Sequence, residues 1–408
     1  MRPRTAVIIL CIFLFNFWSC TESKKVLSIT EINPDHQIEI PVEIDPAVIP
    51  LKDSILVAQS VGVGGQQLTL QKAPALFSSL TEEISRTFCT ILPRGITAGE
   101  WTLTPAHSAS PFTLQEAEGG QLKIFERGRP VLTYNFDMQW VPTAPERYRR
   151  ACYLHPVYDL VGRILTDDFP ADHFHHRGIS WMWPKVFVNG ERYDLWHIYG
   201  ANNEFAGIHQ VFEEWLFKET GPVCATIGVK NKWVLDDQRK VMDEWLFLRV
   251  FRSSEQAQAI DIALSWRAVE TIMLEGQDEK GYGGFNFRFA PREETIITTP
   301  AGIETEDSNL KPFAWADQAA KFGGGSTFSG AAIFQHAANP GFPAGWCLRH
   351  YGFLGVTWPG VVPFKLAPHQ QLTLRFRVWI HKEDATTAQV ELADQTFREP
   401  PQISLRAD

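Results

Sequence analysis

Hydrophobic and polar residues alternate with a period of two over several long stretches. Ile260, Ile262, Leu264 and Trp266 alternate with Asp261, Ala263, Ser265 and Arg267, and Leu372, Leu374, Phe376, Val378 and Ile380 alternate with Thr373, Arg375, Arg377 and Trp379. Successive side chains on a strand point to opposite faces, so this pattern predicts strands with one buried and one wet face. Glu214-Trp215-Leu216-Phe217 nearly recurs as Glu244-Trp245-Leu246-Phe247, with Asp236-Asp237-Gln238-Arg239 as a turn between them. That repeat predicts neighbouring strands of a meander, because it is too short for a solenoid.

Shorter β segments precede these, at residues 37–42, 54–58 and 67–70, with turns at Val63-Gly64-Gly65 and Pro93-Arg94-Gly95. Another series covers residues 112–114, 122–125 and 131–134, and Glu126-Arg127-Gly128-Arg129 reads as the hairpin turn between its last two members. Helical periodicity is confined to short pieces from Leu80 to Arg86 and from Ala385 to Phe397. Many strands and few helices predict an all-β protein in which sheet packs on sheet. The expected division is a small N-terminal β-sandwich-like domain over residues 26–110 and a large antiparallel β-sandwich over residues 111–400.

Composition narrows the partners. The chain has 408 residues, a net charge of −9 and no lysine or arginine block, so a nucleic-acid surface is not expected. Arg2 and Arg4, an apolar run from Ala6 to Trp18, and Ser19-Cys20 form a secretory layout too short for a confident membrane span. Cys20 after that run resembles a bacterial lipoprotein signal over residues 1–20, with Cys20 as the lipidated residue. An ordinary signal peptide or an uncleaved anchor is the alternative. The expectation is an exported protein, periplasmic or lipid-anchored to the cell envelope, touching membrane only through its N-terminal anchor. Cys89, Cys152, Cys224 and Cys347 are widely spaced and allow three pairings, but buried free thiols are expected in so apolar a chain.

The chemistry concentrates in Asp172-His173-Phe174-His175-His176-Arg177-Gly178, followed by Trp181-Met182-Trp183. On an extended backbone His173 and His175 face one way, and Phe174 and His176 the other. A single histidine usually just satisfies loop backbone, but a cluster this dense is costly to arrange for packing alone. His155 stands before Pro156, and a trans peptide there would keep it extended. Asp167 and Asp168 precede the cluster. Farther on, Phe285, Phe287 and Phe289 share one face of a strand and Asn286 and Arg288 the other, while His336, Asn339 and Pro340 precede Arg349-His350.

Three uses of these groups compete. His173 and His175, with His155, His336 or Asp172 as a third ligand, would hold a divalent metal with an open position. Without metal, His173, His175, His176, His155 and Asp172 would share proton transfers while Arg177 polarises an oxygen. Otherwise the groups bind a ligand without turning it over. Asn286, Arg288, His336 and Trp181 are the candidate substrate contacts. Neither a phosphate-binding glycine loop nor a serine-nucleophile elbow is present, since Gly323-Gly324-Gly325-Ser326 lacks the lysine and helix such a loop needs.

Tyr153-Leu154-His155-Pro156, the run from Asp168 to Gly178, Gly283-Gly284-Phe285-Asn286-Phe287-Arg288, Trp315-Ala316-Asp317, Phe334-Gln335-His336 and Asn339-Pro340 together resemble a bacterial family of unknown function commonly labelled the PmoA family. The likeness runs from Arg149 to His381. The label implies methane oxidation, which membrane-embedded subunits perform and which no segment after the signal is built for. What the resemblance implies instead is a galactose-mutarotase-like β-supersandwich. That fold makes a small carbohydrate or an oligosaccharide the leading ligand by analogy, with isomerase, lyase and hydrolase chemistry all open. A non-catalytic carbohydrate-binding or surface-assembly lipoprotein is the other reading.

Overall fold

The computed structural model describes residues 25–407 apart from 31, 33–36, 45–52, 62–64, 77–83 and 201. The signal segment with Cys20, most of the Val63-Gly64-Gly65 turn and most of the helix expected from Leu80 lie outside those residues. Arg86, at the end of that expected helix, instead opens the strand Arg86–Leu92. Among the described residues strand takes 56% and helix 3%, so the class is all β, as the alternation requires.

Two antiparallel nine-stranded sheets face each other across the main core. The first runs in spatial order through Ser308–Pro312, Gly345–Arg349, Phe353–Thr357, Gly284–Arg288, Ile179–Met182, Tyr153–Val157, Arg129–Asn135, Gln121–Glu126 and Phe112–Ala117. The second carries the long strands Ile208–Thr220, Cys224–Leu235, Arg239–Phe251, Ala257–Ala268 and Gln371–Lys382, then four shorter ones. Trp181, Trp183, Trp233, Trp266 and Trp346 fill the space between the sheets with Phe285, Phe287 and Phe376. The two tetrapeptide repeats lie on Ile208–Thr220 and Arg239–Phe251, which are not neighbours: Cys224–Leu235 runs between and pairs with both. Arg127 and Gly128 both have positive φ, as the mirror-image two-residue hairpin turn demands.

The N-terminal segment forms one seven-stranded sheet, and its packing partner is the outer face of the long-strand sheet. Its last strand, Gln402–Ala407, comes from the other end of the chain and pairs with Lys25–Thr30. The helix Val390–Arg398 buries Val390, Ala393 and Phe397 in the same layer. This layer corrects the expected wet face. Asp261 and Arg377 alternate with core residues but are themselves buried beneath the N-terminal sheet, paired at 2.5 Å, with Arg377 also donating to the Pro41 carbonyl. Arg249 likewise donates to Glu43 Oε2 at 2.7 Å and to the Pro74 carbonyl. Gln71 donates to the Cys224 carbonyl and accepts from the Val223 and Cys224 amides. Polarity on these strands therefore marks an interface between layers, in which each buried charge has a partner. All four described cysteines are buried free thiols.

Candidate functional site

The outer face of the first sheet supplies the floor. Antiparallel register aligns Arg288 with Phe353 and Arg349, and Ser180 with Asn286, Gly355 and Cys347. The same pleat sends Phe285 and Phe287 into the core, as their alternation predicts.

The histidine run lies above this floor as turns, which corrects the expectation of a strand. The His173 amide donates to the Pro170 carbonyl and the His176 amide to the His173 carbonyl, each at 2.9 Å. Arg177 fastens the turn from within: it donates to the carbonyls of Phe174 (2.8 Å), His176 (2.6 Å) and Tyr148. Its guanidinium stacks 3.4 Å over the Phe169 ring, and its Nε is 3.5 Å from Asp168 Oδ1. In a turn, residues three apart meet instead of residues two apart. His173 and His176 accordingly stack at 4.6 Å, and His175 stands edge-on to His176 at 4.6 Å. Phe174 points away into a small cluster with Tyr148, Ala144 and Phe169. All three histidines share one cavity, whereas alternation would have separated His176 from the other two.

A second loop brings a fourth imidazole. The amides of Leu195 and Trp196 donate to the Trp183 carbonyl, and the buried Arg150 donates to the carbonyls of Leu195 (2.6 Å) and Trp196 (3.0 Å). The Asp194 carboxylate accepts from the His197 amide and from its ring Nδ1, each at 2.8 Å. The His197 ring is 4.4 Å from that of His175. Asp194, Trp196 and His197 were missed in the sequence. Their only local signal is an Asp-x-x-His spacing, which occurs too widely to single out. Lys280, Tyr282, Arg349, Tyr351 and Phe353 complete the wall of a cavity of about 270 Å³. Tyr282 packs against Trp196 at 4.7 Å, and Tyr351 stacks on His173 at 5.1 Å.

Electrostatics sort these groups into bases and donors. Burial, reinforced by His197, His173 and the nearby arginines, holds His175 well below the usual imidazole range, and burial with His175 and His173 does the same for His176. Both stay neutral near pH 7. Burial pushes the Tyr282 hydroxyl up to about 12 and raises that of Tyr351, so both keep their protons. Partial burial would lift the Asp172 carboxyl, but His173 and Arg288 outweigh it and hold it low. Asp172 Oδ2 is 2.9 Å from His173 Nδ1, and both its oxygens accept from Arg288 Nη2.

The remaining expected residues stand elsewhere. His155 lies on Tyr153–Val157 with its Nδ1 3.0 Å from Thr166 Oγ1, and burial with the nearby Arg177 pushes it down to about 4. The His155–Pro156 peptide is cis, where a trans bond was expected. Trp181 is in the core. Asn286 is buried on the floor, donating to the Gly284 carbonyl, and its Oδ1 has no partner. His336 lines a different cavity, of about 390 Å³, with Pro41, Asp261 and Arg377 between the N-terminal layer and the long-strand sheet. Arg177 is fully buried and committed to the loop, so it positions the histidines and does not reach a ligand. Among the described residues no group of three or more His, Cys, Asp or Glu side chains is placed to hold a metal. Of the candidate third ligands for His173 and His175, His336 lines the other cavity, His155 is hydrogen-bonded at Thr166, and Asp172 is paired with His173 and Arg288.

Residues 121–394 match a family model described as "Family of unknown function (DUF6807)". The chain belongs to this family. Every wall residue of the cavity in this DUF6807 protein falls within the matched span, so the site is a feature of the family domain and not of the N-terminal sheet. The match carries no PmoA or methane-oxygenase label. No curated protein matches the chain. Among solved structures, an alpha-mannosidase from Enterococcus faecalis V583 is 9% identical with a TM-score of 0.40, over 94% of this chain and 46% of that one. The DUF6807 protein thus spans just under half the length of that enzyme. The GalM/aldose epimerase homologue from C. elegans is 8% identical with a TM-score of 0.29, over 68% of this chain and all of that one.

Proposed function

We propose that the DUF6807 protein is an enzyme acting on a small carbohydrate or related polyhydroxylated molecule by imidazole acid–base chemistry, of isomerase or lyase type. The observation that carries this reading is the Asp194–His197 pair in ring contact with His175, both imidazoles on the wall of a small cavity lined by aromatic rings. Asp194 holds His197 Nδ1 and leaves Nε2 free, fixing the tautomer in which Nε2 accepts a proton. Tyr282 and Tyr351 remain protonated and supply donors for an oxygen on which charge develops. Trp196, Tyr282 and Phe353 offer flat apolar surfaces for the C–H face of a sugar ring. The volume lies just under the roughly 300 Å³ at which drug-sized sites begin, which suits a ligand of about one ring. Retaining and inverting glycosidases need two carboxyls flanking the bond. Among the described residues no carboxylate lines this cavity, and this favours isomerase and lyase chemistry over hydrolysis.

The deciding experiment assays purified protein against keto-sugars, aldoses and oligosaccharides, with His175→Ala and His197→Ala proteins shown to fold as controls. Turnover abolished by either substitution supports the proposal. Binding without turnover across the panel would instead identify a carbohydrate-binding protein. We also propose export with lipid attachment at Cys20, supported by the signal layout of residues 1–20.

A further inference from the structure

Counting charges around the cavity gives a one-sided result. Lys280 and Arg349 stand on its wall with four histidines, and among the described residues no aspartate or glutamate does. Lys280 is exposed and forms no ion pair among the described residues. Arg349 donates to the Ser308 and Leu348 carbonyls and to Asn309 Oδ1, and its Nε is 3.9 Å from Asp307 Oδ2, which fixes its guanidinium beside the cavity with part of its charge met. Beneath Tyr351, the Arg288 guanidinium lies 4.9 Å from the ring centroid. Its side chain is 6% exposed, and its Nε and Nη1 find no hydrogen-bond partner although Nη2 holds Asp172. His176 Nδ1 is also buried without a partner. The unmatched Arg288 N–H groups leave positive charge beneath the cavity floor, and negative charge arriving above it is favoured. The carboxylates nearby are committed to protein partners: Asp194 to His197, Asp172 to Arg288 and His173, and Asp307 to His350 and, at 3.9 Å, to Arg349 Nε, which leaves Lys280 as the wall cation without an ion pair among the described residues.

We propose that the ring bound in this cavity is an acidic sugar, one bearing an anionic substituent that sits against Lys280 and Arg349. This rests on the carbohydrate reading above and specifies its substrate class. An acidic sugar also accounts for a site with bases but no carboxylate of its own, because the ligand brings the negative charge. A carboxylate acidifies the hydrogen on its neighbouring ring carbon. When His197 Nε2 takes that proton, the C–H pair moves into the carboxylate, where Lys280 and Arg349 offset the added charge.

The test is titration of the full chain, followed by intrinsic tryptophan fluorescence and calorimetry, with galacturonate, glucuronate, galactose 6-sulfate, galactose, glucose and inorganic phosphate. The expected result at low salt is an acidic sugar bound at least about tenfold tighter than its neutral parent, with the advantage largely lost in Lys280→Ala protein. Preference for uronates over the sulfate ester, or the reverse, identifies the anionic group. Equal or tighter binding of neutral sugars overturns the charge assignment and leaves the carbohydrate reading standing. Binding of phosphate with no sugar of either kind overturns the carbohydrate reading and retains an anion site. Absence of binding to every probe defeats both.

Discussion

Asp194 and His197 form a hydrogen-bonded pair, carboxylate Oδ2 to ring Nδ1 at 2.8 Å, on a loop whose backbone is pinned by Arg150 and the Trp183 carbonyl. The pair orients one imidazole of a four-histidine wall. Removing the acceptor charge while keeping the shape should therefore disturb chemistry without disturbing the fold. Asp194→Asn is expected to lower kcat by at least ~100-fold, with little change in KM. Nitrogen-15 spectra of the histidines would show loss of the Nδ1–H tautomer at His197. Unchanged turnover with the tautomer lost would remove His197 from the mechanism.

Arg177 lies at the centre of the His173–His176 turn. Its guanidinium satisfies three carbonyls and stacks on Phe169, fully buried, so removing it strands those groups. Arg177→Met should cost about 3–5 kcal/mol. Urea unfolding measures this directly. A protein as stable as the parent but inactive would show instead that Arg177 reaches the ligand.

His155 is buried neutral and pushed down to about 4, first by burial and then by Arg177. A depressed folded-state value means its contribution to stability is fully present above the unfolded value of about 6.5, and is lost as pH falls toward 4. Asp168, raised to about 6 by burial, works in the opposite direction: its contribution is present below its ordinary range and lost as pH rises through 6. The His155 part is isolated by comparison with His155→Asn. The difference in Tm between the two proteins should change between pH 6.5 and 4 and stay flat above pH 7. A difference independent of pH across that window would show that His155 does not titrate on unfolding.

The strand Gln402–Ala407 pairs along the whole of Lys25–Thr30, and Val390–Arg398 seals the same layer. Truncation after Arg398 should uncover an edge strand and loosen the N-terminal sheet. Limited proteolysis is expected to cut first within residues 25–105, leaving the two nine-stranded sheets intact. Simultaneous digestion of both parts would mean that the layers unfold as one unit.

The lipid proposal is tested at Cys20. In a bacterial host, Cys20→Ser should abolish incorporation of labelled palmitate and shift the protein from the membrane to the soluble fraction. Membrane association unaffected by the substitution would point to an uncleaved anchor.

Much of the strand content was legible because period-two alternation is a local property: each pleat turns the next residue to the opposite face, and Phe285-Asn286-Phe287-Arg288 sorted as it predicts. The histidine run was legible as a cluster but not as a geometry. Alternation assumes an extended backbone, and Arg177, by gathering two carbonyls from within the run and one from Tyr148, closes it into a turn that reverses the expected facing of His176. The alternating Asp261 and Arg377 looked solvent-bound because a sequence does not say which sheet will cover a polar face.

The local pattern of the chain thus determined its all-β class, its hairpin at Arg127-Gly128 and the clustering of His173, His175 and His176, since each depends on side chains close along the backbone. Tertiary structure alone decided that Gln402–Ala407 completes the N-terminal sheet, that His336 belongs to another cavity, and that Asp194-His197, Lys280 and Tyr351 join the histidines. Those meetings depend on strand order and loop closure. Both are set by which apolar faces bury each other, and that is a property of the whole chain and of no single segment.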